Sequence, residues 1–263
     1  MKISIITVSY NSAKTIKRTI ESVLSQKNVE IEFIIVDGQS KDGTVEIIKE
    51  FANRYSCIRW VSEKDSGIYD AMNKGINMAT GNIIGILNSD DVYASDDILE
   101  TVCKKLSEDN LDSCFGNLLY IKTYFATGSF IPYRYWRSGK LRSFKRGWMP
   151  PHPTFFVKKE VYDKYGCFRL DCGTSADYEL MLRFLEKNKI SSVWINKIFT
   201  YMEAGGASNA TLKTYIKSHS EDRNAWIKNN LKVPFLIVWL KKIRKIPQFI
   251  LAKFIKIDAL KIL

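Results

Sequence analysis

Two hydrophobic rhythms alternate along the first half of the chain. Short runs rich in Ile and Val, "ISIITVS" (3–9), "IEFIIVD" (31–37), "CIRWVSE" (57–63) and "NIIGILN" (82–88), read as strands. Between them, 13–25, 44–54, 68–79 and 96–108 repeat apolar residues at helical spacing, as Ile16, Ile20, Val23 and Leu24 do. Strand followed by helix, four times over, predicts a Rossmann-like α/β fold: a mainly parallel sheet with helices on both faces. Beyond residue 112 the pattern loosens. Residues 113–135 hold aromatic-rich strand runs, "KRGWMPPHPTFFV" reads as a loop entering a short strand, and 158–165 as a helix. A helix is expected over 175–188, with Ser175 as N-cap and Leu180, Leu182, Phe184 and Leu185 on its apolar face. A strand near 191–202 and a helix near 209–228 follow. Residues 231–263 predict one or two amphipathic helices interrupted by Pro234 and Pro247.

In such sheets ligands gather outside the carboxyl ends of the strands, where strand order reverses. The residues that follow each run are therefore informative: Thr7, Ser9, Tyr10 and Asn11 after the first, "DGQSKDGT" after the second, "EKDSGIYDAMNKG" after the third and "NSDD" after the fourth. No G-x-G-x-x-G follows the first strand and no G-x-x-x-x-G-K-[ST] occurs, so the dinucleotide and P-loop readings lose most of their weight. The fourth run is the most telling, because a buried apolar strand ends in two adjacent carboxylates, Asp90 and Asp91. Such a pair repels itself and loses hydration unless positive charge compensates. Helix capping needs one acid, and Asp96 and Asp97 lie closer to the next helix. A divalent cation with oxygen ligands, Mg²⁺ or Mn²⁺ carried with a phosphorylated ligand, fits the pair.

Composition narrows the partners. Of a net charge of +12, +7 falls in residues 231–263, which hold eight basic residues against the single acid Asp258. The charge sits in a hydrophobic tail with Phe235, Trp239, Phe249 and Phe254, a pattern for the anionic face of a membrane and not for nucleic acid. Five scattered cysteines and two histidines suggest neither a disulfide framework nor a zinc site, and fit a reducing cytoplasm. No apolar run reaches the roughly 20 residues of a spanning helix.

The ordered set "TVSYN", "VDGQSKDGT", "EKDSGIYDAMNKG", "NSDD" and "SADYELMLRF" resembles family 2 glycosyltransferases of GT-A fold, closest in flavour to bacterial enzymes building exopolysaccharide or O-antigen repeats. The resemblance spans roughly residues 1–208. It implies a nucleotide-sugar-binding half (1–112), an acceptor-binding half of the same domain (113–230) and the basic tail (231–263). It places Thr7, Ser9, Asn11 and Asp37 around the base and ribose, Asp65, Gly67 and Lys74 along the same pocket, Asp90 on the ribose or a metal-bound water, and Asp91 on the metal. Asp177 is its general base, with Glu179 the neighbouring alternative because this chain reads Ala-Asp where many relatives read Glu-Asp. His152 is expected on a stiff exposed loop near the acceptor or diphosphate, and Arg183 and the glycines at 205–206 beside the diphosphate or a flexible lid. The implied reaction is inverting, metal-dependent transfer from a nucleotide-diphosphate sugar, a UDP-sugar first, to a hydroxyl of a saccharide acceptor linked to polyprenyl diphosphate. The expected location is the cytoplasmic face of the cell membrane, held by residues 231–263. A sugar-1-phosphate nucleotidyltransferase would want a Gly- and Lys/Arg-rich first loop, which "TVSYNSAKT" is not; a non-catalytic basic binder leaves the acid-lined crevice unexplained.

Overall fold

A computed structural model describes residues 1–124, 129–204, 212–235, 240–241 and 243–255. The four predicted βα pairs form as expected: β1 (Lys2–Ser9), α1 (Ile16–Leu24), β2 (Glu30–Asp37), α2 (Thr44–Arg54), β3 (Ile58–Ser62), α3 (Ile68–Met78), β4 (Ile83–Ile86) and, after a two-residue strand β5 (Val92–Tyr93), α4 (Ile98–Glu108). The fourth helix starts at Ile98 and not at 96, because Asp96 and Asp97 are drawn to Lys27 and Lys197 at 2.5 Å each. Then come β6 (Ser113–Tyr124), β7 (Ser129–Trp136), β8 (Phe155–Lys158), α5 (Lys159–Tyr165), α6 (Ala176–Met181), β9 (Ser192–Glu203), α7 (Leu212–Lys228) and α8 (Ile246–Ala252).

The sheet runs β3-β2-β1-β4-β8-β6-β9-β5, with β7 paired to β6. β1, β2, β3 and β4 are mutually parallel, as right-handed βαβ crossovers require. From β8 onward the sheet is mixed: β8 is antiparallel to both β4 and β6, β7 to β6 and β5 to β9, while β6 and β9 run parallel. The connection after β1 goes to β2 on one side and β4 lies on the other, so strand order reverses at β1.

Two apolar layers cover the faces. One packs Ile3, Ile5, Phe33 and Ile35 under α1, α2 and α4; the other packs Ile6, Val8, Ile34, Val36, Ile84 and Ile86 under α3 and α6. The alternation along β1 and β2 sends successive side chains to opposite faces, and both faces are buried, which is why apolar residues of these runs fall on both. At ~25 cal/mol per Å² each buried Ile or Phe contributes roughly 1.5–3 kcal/mol before conformational entropy is set against it.

The expected helix over 175–188 is instead α6 followed by a wide π-helical turn, Leu182–Lys187, closed by the amide of Asn188 donating to the Arg183 carbonyl. Leu180, Leu182, Phe184 and Leu185 are all buried, as predicted. Ser175 stands at the N-cap position, but its hydroxyl donates to Asp222 and makes no capping bond. In the tail, α8 is described, whereas residues 236–239, 242 and 256–263 lie outside the described residues. Among the described residues no helix is long and apolar enough to cross a membrane.

Candidate active site

The carboxyl ends of β1 to β4 converge where strand order reverses. Ser9 at the end of β1 donates to Asp37 at the end of β2 (3.0 Å), and the hydroxyls of Ser40 and Ser62 donate to the same carboxylate at 2.5 and 2.7 Å. Asp37 is fully buried and collects four donors, including the Ser40 amide, so it ties three strand ends together and offers no surface to a ligand. Thr7 is also fully buried in β1 and its Oγ1 has no partner. Both residues expected around the base are thus enclosed at the ends of β1 and β2. Asn11, by contrast, is exposed, in a left-handed turn (φ 50°), with its Oδ1 accepting from the Lys41 amide. Beside it the Tyr10 ring is 68% exposed, a large aromatic left uncovered at a strand end.

The loop after β3 lies alongside. A Cβ added at Gly38 would come within 2.6 Å of an Asp65 carboxylate oxygen and 3.3 Å of the Tyr10 ring, so a side chain here would push the Asp65 carboxylate aside. Asp65 accepts from the Gly67 amide, and Gly67 opens α3 at φ 117° with open space where a Cβ would stand. Lys74 reaches back to the Lys64 carbonyl and to Glu63, both at 2.8 Å, so it braces this loop from α3. Asn73, on the same turn, clamps the backbone of Phe168 through both its amide groups.

The "NSDD" turn follows β4 and is stitched to β1 through the Ser12 and Ser89 hydroxyls, 2.8 Å apart. Asp90 is half-buried, and Asp91 has no exposed surface. Burial, aided by Glu203, holds Asp90 above the usual carboxylate range; burial and the Asp90 charge push Asp91 well above it. One oxygen of Asp91 and the amide oxygen of Asn88 are buried without partners. The local guanidinium, Arg18, is engaged by Glu203 and by the Asp90 carbonyl. The cluster is therefore short of positive charge, and its hard oxygen donors fit a divalent cation whose remaining ligands come from water and a phosphorylated ligand. Asp91, the residue expected on the metal, is enclosed with one carboxylate oxygen unpartnered, and Asp90 beside it is half-buried.

Across the crevice, Asp177 sits in the first turn of α6, half-buried, and accepts from the Tyr69 hydroxyl of α3 at 3.4 Å. Tyr69 also donates to the Thr174 carbonyl, and burial together with the Asp177 charge raises its pKa, so the phenol stays protonated as a donor. Glu179, the alternative base, is fully buried: Arg183 grips both its oxygens at 3.0 Å, and Asn229 and Arg169 complete its shell. Arg183 spends its remaining donors on the carbonyls of Tyr165, Gly166 and Cys167. Both are structural, which corrects the placement of Arg183 near a diphosphate; residues 205–206 lie outside the described residues. His152 is half-buried and edge-on to Phe168, not on an exposed loop, and burial lowers its pKa although Asp177 opposes this.

Three residues near the acids carried no signal at the level of spacing. Arg18 lies on an ordinary amphipathic helix, Glu203 ends the distant β9, and Tyr120 of β6 feels both the Asp91 and Asp177 charges. Only the sheet order, which sets β6 beside β9 and β5 after "NSDD", brings them in.

Known proteins resemble this chain in sequence and fold. The family profile described as Glycosyl transferase family 2 matches residues 4–166. An uncharacterized glycosyltransferase of Mycobacterium tuberculosis is 33% identical over 186 residues, 69% of this chain and 68% of its own. A PGL/p-HBAD biosynthesis glycosyltransferase of Mycobacterium bovis is 27% identical over 218 residues, 81% and 82% of the two chains. Among solved structures, S. aureus TarS 1–349 in complex with UDP-GlcNAc matches with a TM-score of 0.67 at 18% identity, over 97% of this chain and 73% of that one; this chain spans 39% of a longer TarS chain. The mannosyltransferase PcManGT from Pyrobaculum calidifontis, in complex with GDP-Man and Mn²⁺, matches with a TM-score of 0.63 at 15% identity, over 98% and 77%. With a crevice of acids at the strand-order reversal and a profile match over more than half its length, this protein is a glycosyltransferase of GT-A fold and belongs to family 2.

Proposed function

We propose that the protein transfers a sugar, with inversion, from a nucleoside-diphosphate donor, a UDP-sugar first, to a hydroxyl of a saccharide acceptor carried on polyprenyl diphosphate at the cytoplasmic membrane face, in surface polysaccharide synthesis. The observation that carries this reading is Asp177, half-buried in the first turn of α6 and held by the Tyr69 hydroxyl, with Tyr120 feeling both its charge and that of Asp91 in the turn after β4. The exposed Tyr10 ring beside Gly38 and Asp65 offers the base a flat apolar face, and Ser9 and Asn11 border it.

Asp90, backed by Asp91 and Asn88, would hold Mn²⁺ or Mg²⁺. Bound there, the ion would neutralise charge growing on the leaving diphosphate. The chain's own part is to orient the acceptor hydroxyl and to take its proton on an Asp177 carboxylate oxygen as that hydroxyl attacks the anomeric carbon. One displacement with one base inverts configuration. The PcManGT complex with Mn²⁺ and the TarS complex with UDP-GlcNAc support metal and donor class by analogy of fold.

Asp177→Asn tests the assignment. Transfer from a panel of UDP-, GDP- and TDP-sugars should fall about 10²- to 10⁴-fold, the usual worth of a positioned base, while UDP still raises the melting temperature as it does for the wild type. Substantial turnover in the mutant would place the base elsewhere, and retained anomeric configuration in the product would overturn the mechanism.

A further inference from the structure

The residues just before α6 are held from outside that helix by two neighbouring acids of α7. Glu221 accepts from the amide and the hydroxyl of Thr174 at 3.0 and 2.5 Å, and Asp222 accepts from the Ser175 hydroxyl at 3.0 Å. The Thr174 carbonyl in turn accepts from Tyr69, the residue that also donates to Asp177. Ser175 stands two residues before Asp177, whose Oδ1 takes the Tyr178 amide at 2.7 Å. The clamp from α7 thus fixes where α6 begins.

Half of this clamp is a buried charge. Asp222 is 8% exposed, and a carboxylate so enclosed needs a cation beside the one hydroxyl that donates to it. The cation comes from the tail. Lys241 pairs with the second Asp222 oxygen, its Nζ also lying 3.9 Å from the Tyr178 ring centroid, and Lys245 feels the same charge. The tail backbone is seated for this pairing: a Cβ at Gly147 would come within 2.6 Å of the Lys241 amide nitrogen and 2.7 Å of the Leu240 carbonyl carbon, and Arg244 donates to the Arg146 carbonyl at 2.9 Å. Without the ammonium, Asp222 either takes up a proton or swings toward water, and both weaken the charge-assisted bond from Ser175.

We propose that Lys241 is a positioning residue for Asp177: by neutralising Asp222 it keeps Ser175, and with it the first turn of α6, in the register that Tyr69 meets. The inference rests on Asp177 being the base of the transferase reading above. It makes transfer depend on the tail from inside the fold, apart from any membrane that the outer face of the tail meets.

The test is steady-state kinetics of the full chain with the UDP-, GDP- or TDP-sugar that the wild type turns over, alongside deuterium exchange of the peptide covering 173–178. Lys241→Met should lower kcat about 10- to 100-fold, the cost of a displaced base, with the nucleotide-sugar KM held within about twofold, and should raise exchange in that peptide. Lys241→Arg, which keeps a cation over the ring, should hold kcat within about threefold. Ser175→Ala should lower kcat as Lys241→Met does, and the two together no further than either alone, because they act on one link. Lys241→Met/Asp222→Asn removes the stranded charge and leaves Ser175 an amide oxygen to donate to, so it should regain most of the lost kcat; it also serves where Lys241→Met alone fails to fold. An unchanged kcat in Lys241→Met, a change confined to KM, losses that multiply in Lys241→Met/Ser175→Ala, or Lys241→Arg or Lys241→Met/Asp222→Asn as slow as Lys241→Met overturns the proposal. Full turnover in Asp177→Asn strikes the base assignment instead; exchange of 173–178, raised in Lys241→Met and restored in Lys241→Met/Asp222→Asn, then decides the coupling by itself, and exchange unchanged in Lys241→Met overturns it.

Discussion

Two acids two positions apart, Asp177 and Glu179, show how little residue type says without surroundings. Both stand in the first turn of α6, where a negative charge suits the helix dipole. Glu179 is sealed with Arg183, Arg169 and Asn229, whereas Asp177 keeps an open side. Glu179→Gln should leave two guanidinium groups short of a charge partner and cost about 3–5 kcal/mol in urea unfolding, a structural effect distinct from the catalytic loss expected at Asp177. Glu32 provides a pH probe. Burial would raise its pKa, but hydrogen bonds from Ser4, Thr80 and Arg59 overcome this and hold it at about 2. A carboxylate depressed in the folded state stabilises above its unfolded pKa and loses that contribution as pH falls toward the folded value. Wild-type stability should therefore drop between about pH 4.5 and 2 by on the order of 3 kcal/mol from this group, and Glu32→Gln should flatten that limb of the acid-unfolding curve. At Asp91 the sign reverses: a buried, half-unpartnered carboxylate burdens the fold. Asp91→Asn should raise the melting temperature in chelator and abolish any further rise on adding Mn²⁺ with UDP.

At the scale of elements, strand ends and helix starts were legible because each obeys a local rule. Apolar runs give β1 to β4, and the turn chemistry after them gives the crevice. What local rules missed came from partners far along the chain. β5 is two residues long and exists through pairing with β9; the wide turn after α6 replaces regular helix where every side chain from Leu182 to Glu186 is buried. Gly67 is the element-scale test of the donor loop. Its φ of 117° belongs to a region that side chains rarely adopt, so Gly67→Ala should cost about 1–3 kcal/mol and raise the KM for the nucleotide-sugar more than it lowers kcat.

Over the whole molecule, the tail is tied into the fold as well as facing outward. Lys241 pairs with Asp222 of α7 and lies over the Tyr178 ring, and Asp222 in turn accepts from Ser175 at the start of the helix that carries Asp177. α8 packs on β7 through Phe249 and Tyr133. Removing residues 231–263 should therefore lower both the melting temperature and vesicle binding. The paired substitution Ile246→Ser/Ile250→Ser, on side chains that face solvent, should lower flotation with anionic liposomes and leave the melting temperature within about 2 °C, as surface changes do.

The amino-acid order alone determined the α/β rhythm, the four acid-bearing strand ends, the acid in the first turn of α6 and a basic, apolar tail, since each rests on contacts within a few residues or on spaced motifs. Tertiary structure decided which of those residues meet the crevice. Thr7, Asp37 and Asp91 turned inward, Arg183 and Glu179 closed on each other, and Arg18, Tyr120 and Glu203 arrived from distant elements. Burial and charge pairing are properties of neighbours in space, and the mixed half of the sheet sets those neighbours through strand pairings that leave no periodic trace in the chain.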